Sequence, residues 1–471
     1  MKWDSSSLLN NTRRRPSRSG KLANDNRNVF ENDYGRIILS SGFRRLQDKA
    51  QVFPLDTSDF IRTRLTHSIE VAAIASSMGT SIERFLIKNK HMSLQHKGEL
   101  KAILSSVGLL HDIGNTPFGH FGEYAIQQYF REFLKSNTHI NKQLTALQKQ
   151  DLQYFDGNAH SLRLITKLQY VQDIYGLNLT YATLAALIKY PCNSLEGNKK
   201  NKGVCLKKFG YFQSEQNTFT DIAKKTGLIQ NNGVVCRHPL VFIMEAADDI
   251  AYSVTDLEDG IKKKVLSLNQ IKRFLEKKLY TNEDGSARVM LPQEQEILNK
   301  LNLKIADDYP DNEARIIQIL RAKIQGFMIE SVVEEFENSY KDIINGSYNK
   351  ELLNQSKAST IRNALKEISY IIFNNKVIIT KELAGESVIT NLLNLFVKGL
   401  TATDENNKLL FKKANTKENR LYRIISTNYR YIYEQHSKQS VYDRLLLITD
   451  FICGMTDYYA VDLFKKLSGT L

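Results

Sequence analysis

The chain has 471 residues, 42% hydrophobic and 10% aromatic, so it is globular and long enough for two or three domains with a large core. Lys and Arg number 65 against 51 Asp and Glu, and the formal net charge of +14 attracts polyanions such as nucleotides, nucleic acid or an acidic membrane surface. No apolar run approaches the ~20 residues of a membrane span, the N-terminus lacks a secretory signal, and four scattered cysteines indicate reduced thiols in a cytoplasmic protein.

The first 28 residues are polar and carry a concentration of positive charge. The basic side chains of this segment are Arg13, Arg14, Arg15, Arg18 and Lys21. Runs of like charge repel one another and favour solvent over a packed core. Residues 1–28 are therefore predicted to form a mobile basic arm.

From residue 29 onward the hydrophobic pattern is helical. Apolar residues recur at three- and four-residue steps, period-two alternation is rare, and seven prolines in the whole chain are compatible with long helices. The clearest helical segments are 64–86, 101–114, 239–261, 388–400 and 441–464. The pattern predicts an all-α fold, with one short β-hairpin allowed at 203–212. Residues 29–290 are interpreted as a catalytic core and 291–471 as a helical region packing back on it.

Residues 111–123, HDIGNTPFGHFGE, contain the most informative local pattern. His111 and Asp112 place an imidazole beside a carboxylate, a pair that suits a divalent metal. His120 and Glu123 follow after two glycines and a proline, which bend a backbone. A bent segment can bring the second pair over a metal held by the first. This stretch favours metal-assisted hydrolysis.

Two further residues complete a candidate metal site. His67 lies near the start of one apolar helix and Asp248 lies on another. Three helices could bring both of them to His111 and Asp112. Two imidazoles and two carboxylates would hold one divalent ion and leave positions open for water and substrate.

The helix around residue 250 carries an aligned polar stripe. Asp248, Tyr252 and Asp256 are spaced at i, i+4 and i+8, so they share one helical face. Acidic groups on a largely apolar helix need a polar cavity or water beside them. Asp249 is an alternative ligand, but it points about 100° away from this face. Asp248 is preferred for that reason.

These patterns, taken together, resemble the HD-domain deoxynucleoside triphosphate triphosphohydrolase family, especially its bacterial dGTPases. The resemblance extends from about Gly35 to Ala460. The matching stretches are residues 35–53, 62–71, 111–123, 155–168, 183–191, 207–215, 238–256 and 450–460. The resemblance implies a compact all-helical HD domain with further helices packed around it.

The resemblance also implies an activity and most of a site. Family members hydrolyse a dNTP at the α-phosphorus to the deoxynucleoside and inorganic triphosphate, and dGTP is the implied substrate. One divalent ion (Mg²⁺, Mn²⁺, Co²⁺ or similar) is implied as cofactor. By position, the metal ligands are His67, His111, Asp112 and Asp248. His120 and Glu123 correspond to the catalytic pair.

Substrate contacts follow from the same resemblance. Arg64 matches a phosphate contact, and a guanidinium can bond phosphate through two nitrogens. The other implied phosphate contacts are Lys189, Tyr190 and Lys208. Gln47 and Asp256 match residues that bond the sugar 3′-hydroxyl. Tyr252 matches a tyrosine packed where a ribose 2′-hydroxyl would clash.

Family members assemble as hexamers or tetramers, some have allosteric nucleotide sites, and some bind single-stranded DNA. A homo-oligomer with such partners is therefore expected, without membrane contact. Two alternatives remain open. Another HD-type phosphohydrolase, a nucleoside monophosphatase or a cyclic-nucleotide phosphodiesterase, would use the same ligands. The basic charge is also compatible with a nucleic-acid-binding regulator.

Overall fold

The computed structural model describes residues 1–15, 26–56, 58, 62–169, 173–197, 203–282, 284–302 and 312–470. The predicted all-α class is confirmed, because these residues form 22 α-helices and their β-pairing is limited to six isolated bridges. In the same ranges no helix is both long and apolar enough to cross a membrane.

The helices follow one another along the chain with short connections. They are α1 Val29–Ile38, α2 Ser41–Arg44, α3 Arg64–Lys88, α4 Glu99–Leu110, α5 Gly119–Ser136, α6 Thr138–Lys142, α7 Ala146–Gln153, α8 Gly157–Arg163, α9 Tyr181–Leu187, α10 Gln216–Lys225, α11 Pro239–Lys262, α12 Leu268–Tyr280, α13 Pro292–Leu301, α14 Asn312–Asn338, α15 Tyr340–Asn345, α16 Leu352–Gln355, α17 Ser359–Phe373, α18 Lys376–Thr401, α19 Lys417–Ile424, α20 Thr427–His436, α21 Val441–Cys453 and α22 Asp457–Ser468. The hairpin allowed at 203–212 is absent. Val204–Leu206 forms a 3₁₀ turn there instead.

Helices α3, α4 and α11 form the centre of the molecule and pack against one another. Helix α3 begins at a capping box in which Thr63 and Thr66 satisfy each other's backbone N–H groups. Helix α11 begins with Pro239 at its first turn, where proline removes no needed hydrogen bond. The start of α3, the end of α4 and the middle of α11 meet at one place. That place carries the candidate site.

The C-terminal helices cover the same region from the other side. Helix α18 packs along α5 and is itself backed by α21 and α22, while α17 lies against α11. The turn between α4 and α5 is thus enclosed by helices from both ends of the sequence. The boundary at residue 290 stays a prediction.

The first fifteen residues differ from the predicted mobile arm. Trp3, Leu8 and Leu9 are buried in the core. The His238 Nδ1 atom accepts from the Leu240 amide, so Nε2 carries the proton that it donates to the Leu8 carbonyl at 2.9 Å. Three large apolar side chains therefore outweigh the polar composition around them.

The positive charge of this segment is also tied down. Arg13 forms an ion pair with the buried Asp33 at 2.6 Å and also donates to the Val29 carbonyl. A buried carboxylate partner removes the repulsion that predicts mobility. Arg18 and Lys21 lie outside the described residues.

Candidate active site

A cavity of about 700 Å³ lies where α3, α4, α5 and α11 meet beneath α17 and α18. Its walls include candidate residues from distant parts of the sequence. Those on the wall are Arg64, His111, Asp112, His120, Glu123, Lys189, Tyr190, Lys208, Asp248 and Tyr252. A cavity of this size accommodates a nucleotide-sized ligand.

His67, His111 and Asp248 form a compact cluster beside this cavity. Their ligand atoms all lie within 4.8 Å of one another. The Asp248 Oδ1 atom is 3.1 Å from His67 Nε2 and 3.4 Å from His111 Nε2. This donor set of two imidazoles and a carboxylate suits a divalent transition-metal or magnesium-class ion.

The orientation of His111 supports the metal assignment. Its Nδ1 atom donates to the Gly108 carbonyl at 2.8 Å, which fixes the tautomer and leaves Nε2 for a ligand. The Nε2 atom is buried and has no hydrogen-bond partner within the described part of the chain. Buried polar atoms normally have partners, and a metal ion would satisfy this one.

Asp112 lies beside the cluster but is held by its own neighbours. Its Oδ1 atom is 3.5 Å from His111 Nε2 and accepts from the Asn115 side-chain amide at 2.6 Å. Its Oδ2 atom forms an ion pair with Arg64. Burial raises the Asp112 pKa, but His111 and Arg64 outweigh burial and keep it below its usual range. The carboxylate is thus ionised and ready to bind a cation.

The two adjacent acids of α11 have different partners. Asp248 contacts both imidazoles and Lys189, whose Nζ is 3.3 Å from its Oδ2. Asp249 instead pairs with Arg362 of α17 at 2.9 Å. The helical rotation between consecutive residues separates the two roles.

His120 and Glu123 form a second pair at the start of α5. His120 Nδ1 lies 3.3 Å from Glu123 Oε2, and Glu123 Oε1 accepts from the Gly157 amide at 2.8 Å. The hydrogen bond to Glu123, followed by the charge of Glu123, raises the pKa of His120. Burial works to raise the Glu123 pKa, but His120 and Lys208 lower it to about 2. The His120 side chain is 83% exposed and so can reach a ligand.

Cationic groups surround the two pairs. Arg64 and Lys189 contact the carboxylates of the metal cluster. Lys208 lies 2.9 Å from Asp156 and 3.8 Å from Glu123. The Arg237 guanidinium lies over the Tyr190 ring, 5.5 Å from its centre, on the same wall. The cavity therefore concentrates positive charge next to the metal cluster, as a phosphate chain requires.

The candidate sugar contacts are only partly brought together. Tyr252 lines the cavity, whereas Asp256 is buried one helical turn further along α11. Burial raises the pKa of Asp256 to about 8, and its Oδ2 atom has no hydrogen-bond partner among the described residues. A neutral carboxyl group there can donate a hydrogen bond as well as accept one.

Gln47 is exposed and lies outside the cavity, which corrects its predicted contact with the sugar. Gln51, four residues later in the same matched stretch, lines the cavity instead. Its Oε1 atom is buried without a hydrogen-bond partner in the described chain. The intervening 3₁₀ turn at Arg45–Asp48 directs Gln47 to solvent, and sequence alone does not reveal that turn.

Two other cavity residues escaped the sequence reasoning. Asn158 follows α8's capping Asp156 in a matched stretch, so the motif itself offered a signal. Glu382 belongs to the buried face of α18, which also contains Ile378, Gly385 and Ile389. A carboxylate at helical spacing within such a stripe was a readable signal, because burying a charge is costly without a function or a partner.

Known proteins are similar to this chain over its whole length. A Listeria innocua protein named deoxyguanosinetriphosphate triphosphohydrolase-like protein is 41% identical, with both chains fully covered. A Yersinia enterocolitica protein named deoxyguanosinetriphosphate triphosphohydrolase is 30% identical over 93% of each chain. A family model described as HD domain matches residues 64–154. The chain belongs to the HD-domain deoxyguanosinetriphosphate triphosphohydrolase family.

Four positions depart from the pattern of this triphosphohydrolase family, and none lies in the metal cluster. Leu39 and Tyr458 are exposed, and Cys192 is buried beside the loop that carries Lys208. His160 is buried and its Nδ1 lies 3.0 Å from the Gly114 carbonyl. His160 thereby supports the turn between the two halves of the site.

Proposed function

We propose that this protein hydrolyses a deoxynucleoside triphosphate, with dGTP preferred, to the deoxynucleoside and inorganic triphosphate. One observation carries the proposal. The cluster of His67, His111 and Asp248 and the pair of His120 and Glu123 flank a single cavity whose wall is cationic. The names of the relatives support the same activity.

His67, His111, Asp112 and Asp248 would hold the divalent ion. A bound ion supplies Lewis-acid chemistry and makes water a stronger acid. Asn115 and Arg64 fix the Asp112 carboxylate, and Gly108 fixes the His111 ring. The ligands are thus preorganised by residues that do not themselves bind the ion.

A triphosphate brings about four negative charges, and an anionic nucleophile approaches it only after they are screened. Lys189, Lys208 and Arg64 lie on the cavity wall for this purpose. The Asn158 side chain and the Tyr190 hydroxyl group provide neutral donors on the same wall. These groups bind the phosphate chain and orient the α-phosphorus toward the metal cluster.

Release of a deoxynucleoside requires cleavage between the α-phosphorus and the 5′-oxygen. The departing 5′-oxygen is a poor leaving group and takes up a proton. His120 donates this proton from Nε2, because Nδ1 is engaged by Glu123. Glu123 stabilises the imidazolium form of His120 and keeps its ring oriented.

The sugar lies against Tyr252, which leaves no room for a 2′-hydroxyl group. Gln51 and Asp256 bond the 3′-hydroxyl, since each has a buried oxygen without a hydrogen-bond partner within the described ranges. A buried atom that is left unpaired in the absence of substrate rewards a ligand that pairs with it. This arrangement selects deoxynucleotides.

Glu382 supports guanine as the base. Its carboxyl group lies on the cavity wall, and burial raises its pKa to about 7. The Watson–Crick edge of guanine presents two adjacent N–H donors, N1–H and the N2 amino group, which match the two oxygens of a carboxylate. Thymine offers one such donor, so Glu382 discriminates against it.

We further propose a cytoplasmic homo-oligomer, a hexamer or tetramer, that responds to a nucleotide or to single-stranded DNA. The family resemblance and the net charge of +14 support these partners. The four cysteines are free in the structure, as expected for a reducing compartment.

The decisive experiment supplies each dNTP, singly and mixed, with Mg²⁺, Mn²⁺ or Co²⁺, and resolves the products. Formation of deoxyguanosine and inorganic triphosphate supports the proposal. Orthophosphate released from a monophosphate, or cleavage of a cyclic nucleotide, would favour the other phosphohydrolases. An Asp112→Ala variant should lose metal and activity together, and a fully active metal-free variant would contradict the ligand set.

A further inference from the structure

The turn that precedes α5 has an unusual backbone. Phe118 adopts a left-handed conformation with φ of 61°, followed by Gly119 with φ of 58°. A non-glycine residue in this region is disfavoured by about 1–2 kcal/mol. The turn persists only if its surroundings hold it. His120 is the second residue of the helix that starts here, so the turn sets the position of the proton donor.

A buried carboxylate from the far end of the chain holds this turn. Asp457, the first residue of α22, is 1% exposed. Its Oδ1 atom accepts the Phe118 amide at 3.0 Å, and its Oδ2 atom accepts the Ala50 amide at 3.0 Å. Ala50 and Phe118 both line the cavity, and Gln51 follows Ala50. One side chain thus joins two walls of the site.

A lysine completes the connection from the opposite direction. The buried Lys49 ammonium donates to the Asn115 carbonyl and, at 2.7 Å, to the Cys453 carbonyl at the end of α21. The Asn115 side chain bonds the Asp112 carboxylate. The segment 453–457 is therefore linked to the metal half of the turn through Lys49 and to the catalytic half through Asp457.

We propose that Asp457 is a positioning residue for His120. It acts through the Phe118 and Ala50 amides and does not touch the substrate. The inference rests on the proposed function, in which His120 protonates the leaving oxygen. It also assigns a purpose to the matched stretch 450–460, which contributes no side chain to the cavity wall.

The exposure of His120 makes this dependence strong. With 83% of its side chain accessible, the imidazole is positioned by the start of α5 and by Glu123 rather than by packing. A displacement of about 1 Å at a reacting group can lower the rate by about 10²-fold. Asp457→Asn replaces one acceptor oxygen with an NH₂ group that opposes a backbone N–H. We expect kcat to fall about tenfold or more, with KM changing less than about threefold.

Asp151→Asn is the matched control. Asp151 is equally buried, accepts the Gln213 amide at 2.8 Å and bonds Tyr442 of α21, but it contacts neither wall of the cavity. It should lower the melting temperature like Asp457→Asn while keeping kcat. Metal content should be unchanged in both variants.

Combination with His120→Ala separates positioning from stability. If Asp457 acts through His120, the double variant should be no slower than His120→Ala alone, within about twofold. A double variant that is slower by the product of the two single losses would overturn the inference. So would a kcat for Asp457→Asn that stays within twofold of the wild type.

Amide hydrogen exchange provides a readout that needs no activity. Peptides covering 115–122 should exchange faster in Asp457→Asn than in the wild type, and at the wild-type rate in Asp151→Asn. Unchanged exchange in Asp457→Asn would overturn the inference even if the enzyme is active. A wild-type protein that cleaves no dNTP would defeat the proposed function, and the exchange rates would still decide whether Asp457 holds the turn.

Discussion

His120 and Glu123 illustrate at the scale of single residues how one hydrogen bond prepares a proton donor. The Glu123 carboxylate raises the pKa of His120, and His120 in turn helps to hold the Glu123 pKa at about 2. The imidazolium form is therefore maintained to a higher pH than that of an isolated histidine. Glu123 needs no contact with the substrate to do this.

Glu123→Gln should shift the pH dependence of kcat. A proton donor works in its protonated form, so the rate falls as pH rises through the pKa of His120. Removing the negative charge lowers that pKa, and the alkaline limb of the kcat profile should move to lower pH. His120→Ala should abolish the limb and lower kcat by ~10²–10⁴ while metal stays bound. An unshifted limb in Glu123→Gln would assign the titration to another group.

Base preference depends on another single residue. In Glu382→Gln, one carboxylate oxygen becomes an NH₂ group that opposes a guanine N–H. Loss of a charged hydrogen bond should reduce kcat/KM for dGTP about 10- to 100-fold. The values for dTTP, dCTP and dATP should change little. Competition assays with mixed dNTPs measure this ratio, and an equal loss for all four substrates would exclude a role in base selection.

Helix α18 is the element that closes the site over the turn before α5. The Phe118 ring packs on Gly385, where an added Cβ would lie 2.4 Å from the ring. Glycine is thus required at this crossing by close approach rather than by backbone conformation. The same helix brings Glu382 to the cavity one turn earlier.

Gly385→Ala should therefore displace Phe118 and slow the reaction. Overpacking of a tight contact costs about 1–3 kcal/mol, so the melting temperature and kcat should both fall. Gly326→Ala in α14 is the matched control, because no atom lies within 4 Å of its added Cβ. There the better helix former should stabilise the protein by up to about 1 kcal/mol. An active, equally stable Gly385→Ala would show that α18 can move aside.

Periodicity was sufficient to predict the elements that carry the site. The apolar spacing in 64–86 and 239–261 identifies α3 and α11, because a helix records its buried face locally. Contacts between distant elements leave no such record. Nothing near Asp457 in the sequence indicates that it bonds Phe118, and nothing near Gln47 shows that Gln51 faces the cavity. Those assignments required the packed structure.

Across the whole molecule, buried ionisable groups act on stability in opposite directions. Burial lowers the pKa of His238 to about 4 and raises that of Asp256 to about 8. The unfolded chain binds a proton at His238 more tightly than the native state, so acidification destabilises the fold. At Asp256 the native state binds the proton more tightly, so acidification stabilises it. The net pH dependence of unfolding is the difference between such groups.

His238→Asn isolates one of these contributions. Asparagine can still cap α11, but it does not titrate and loses the hydrogen bond to Leu8 that anchors the N-terminal segment. The wild type loses the His238 contribution as pH falls from about 6.5 toward about 4, whereas the variant has none to lose. The stability advantage of the wild type, measured by urea unfolding, should therefore shrink by about 2 kcal/mol between about pH 7.5 and about pH 5. A constant advantage would mean that His238 is solvated and that the N-terminal segment does not cover it.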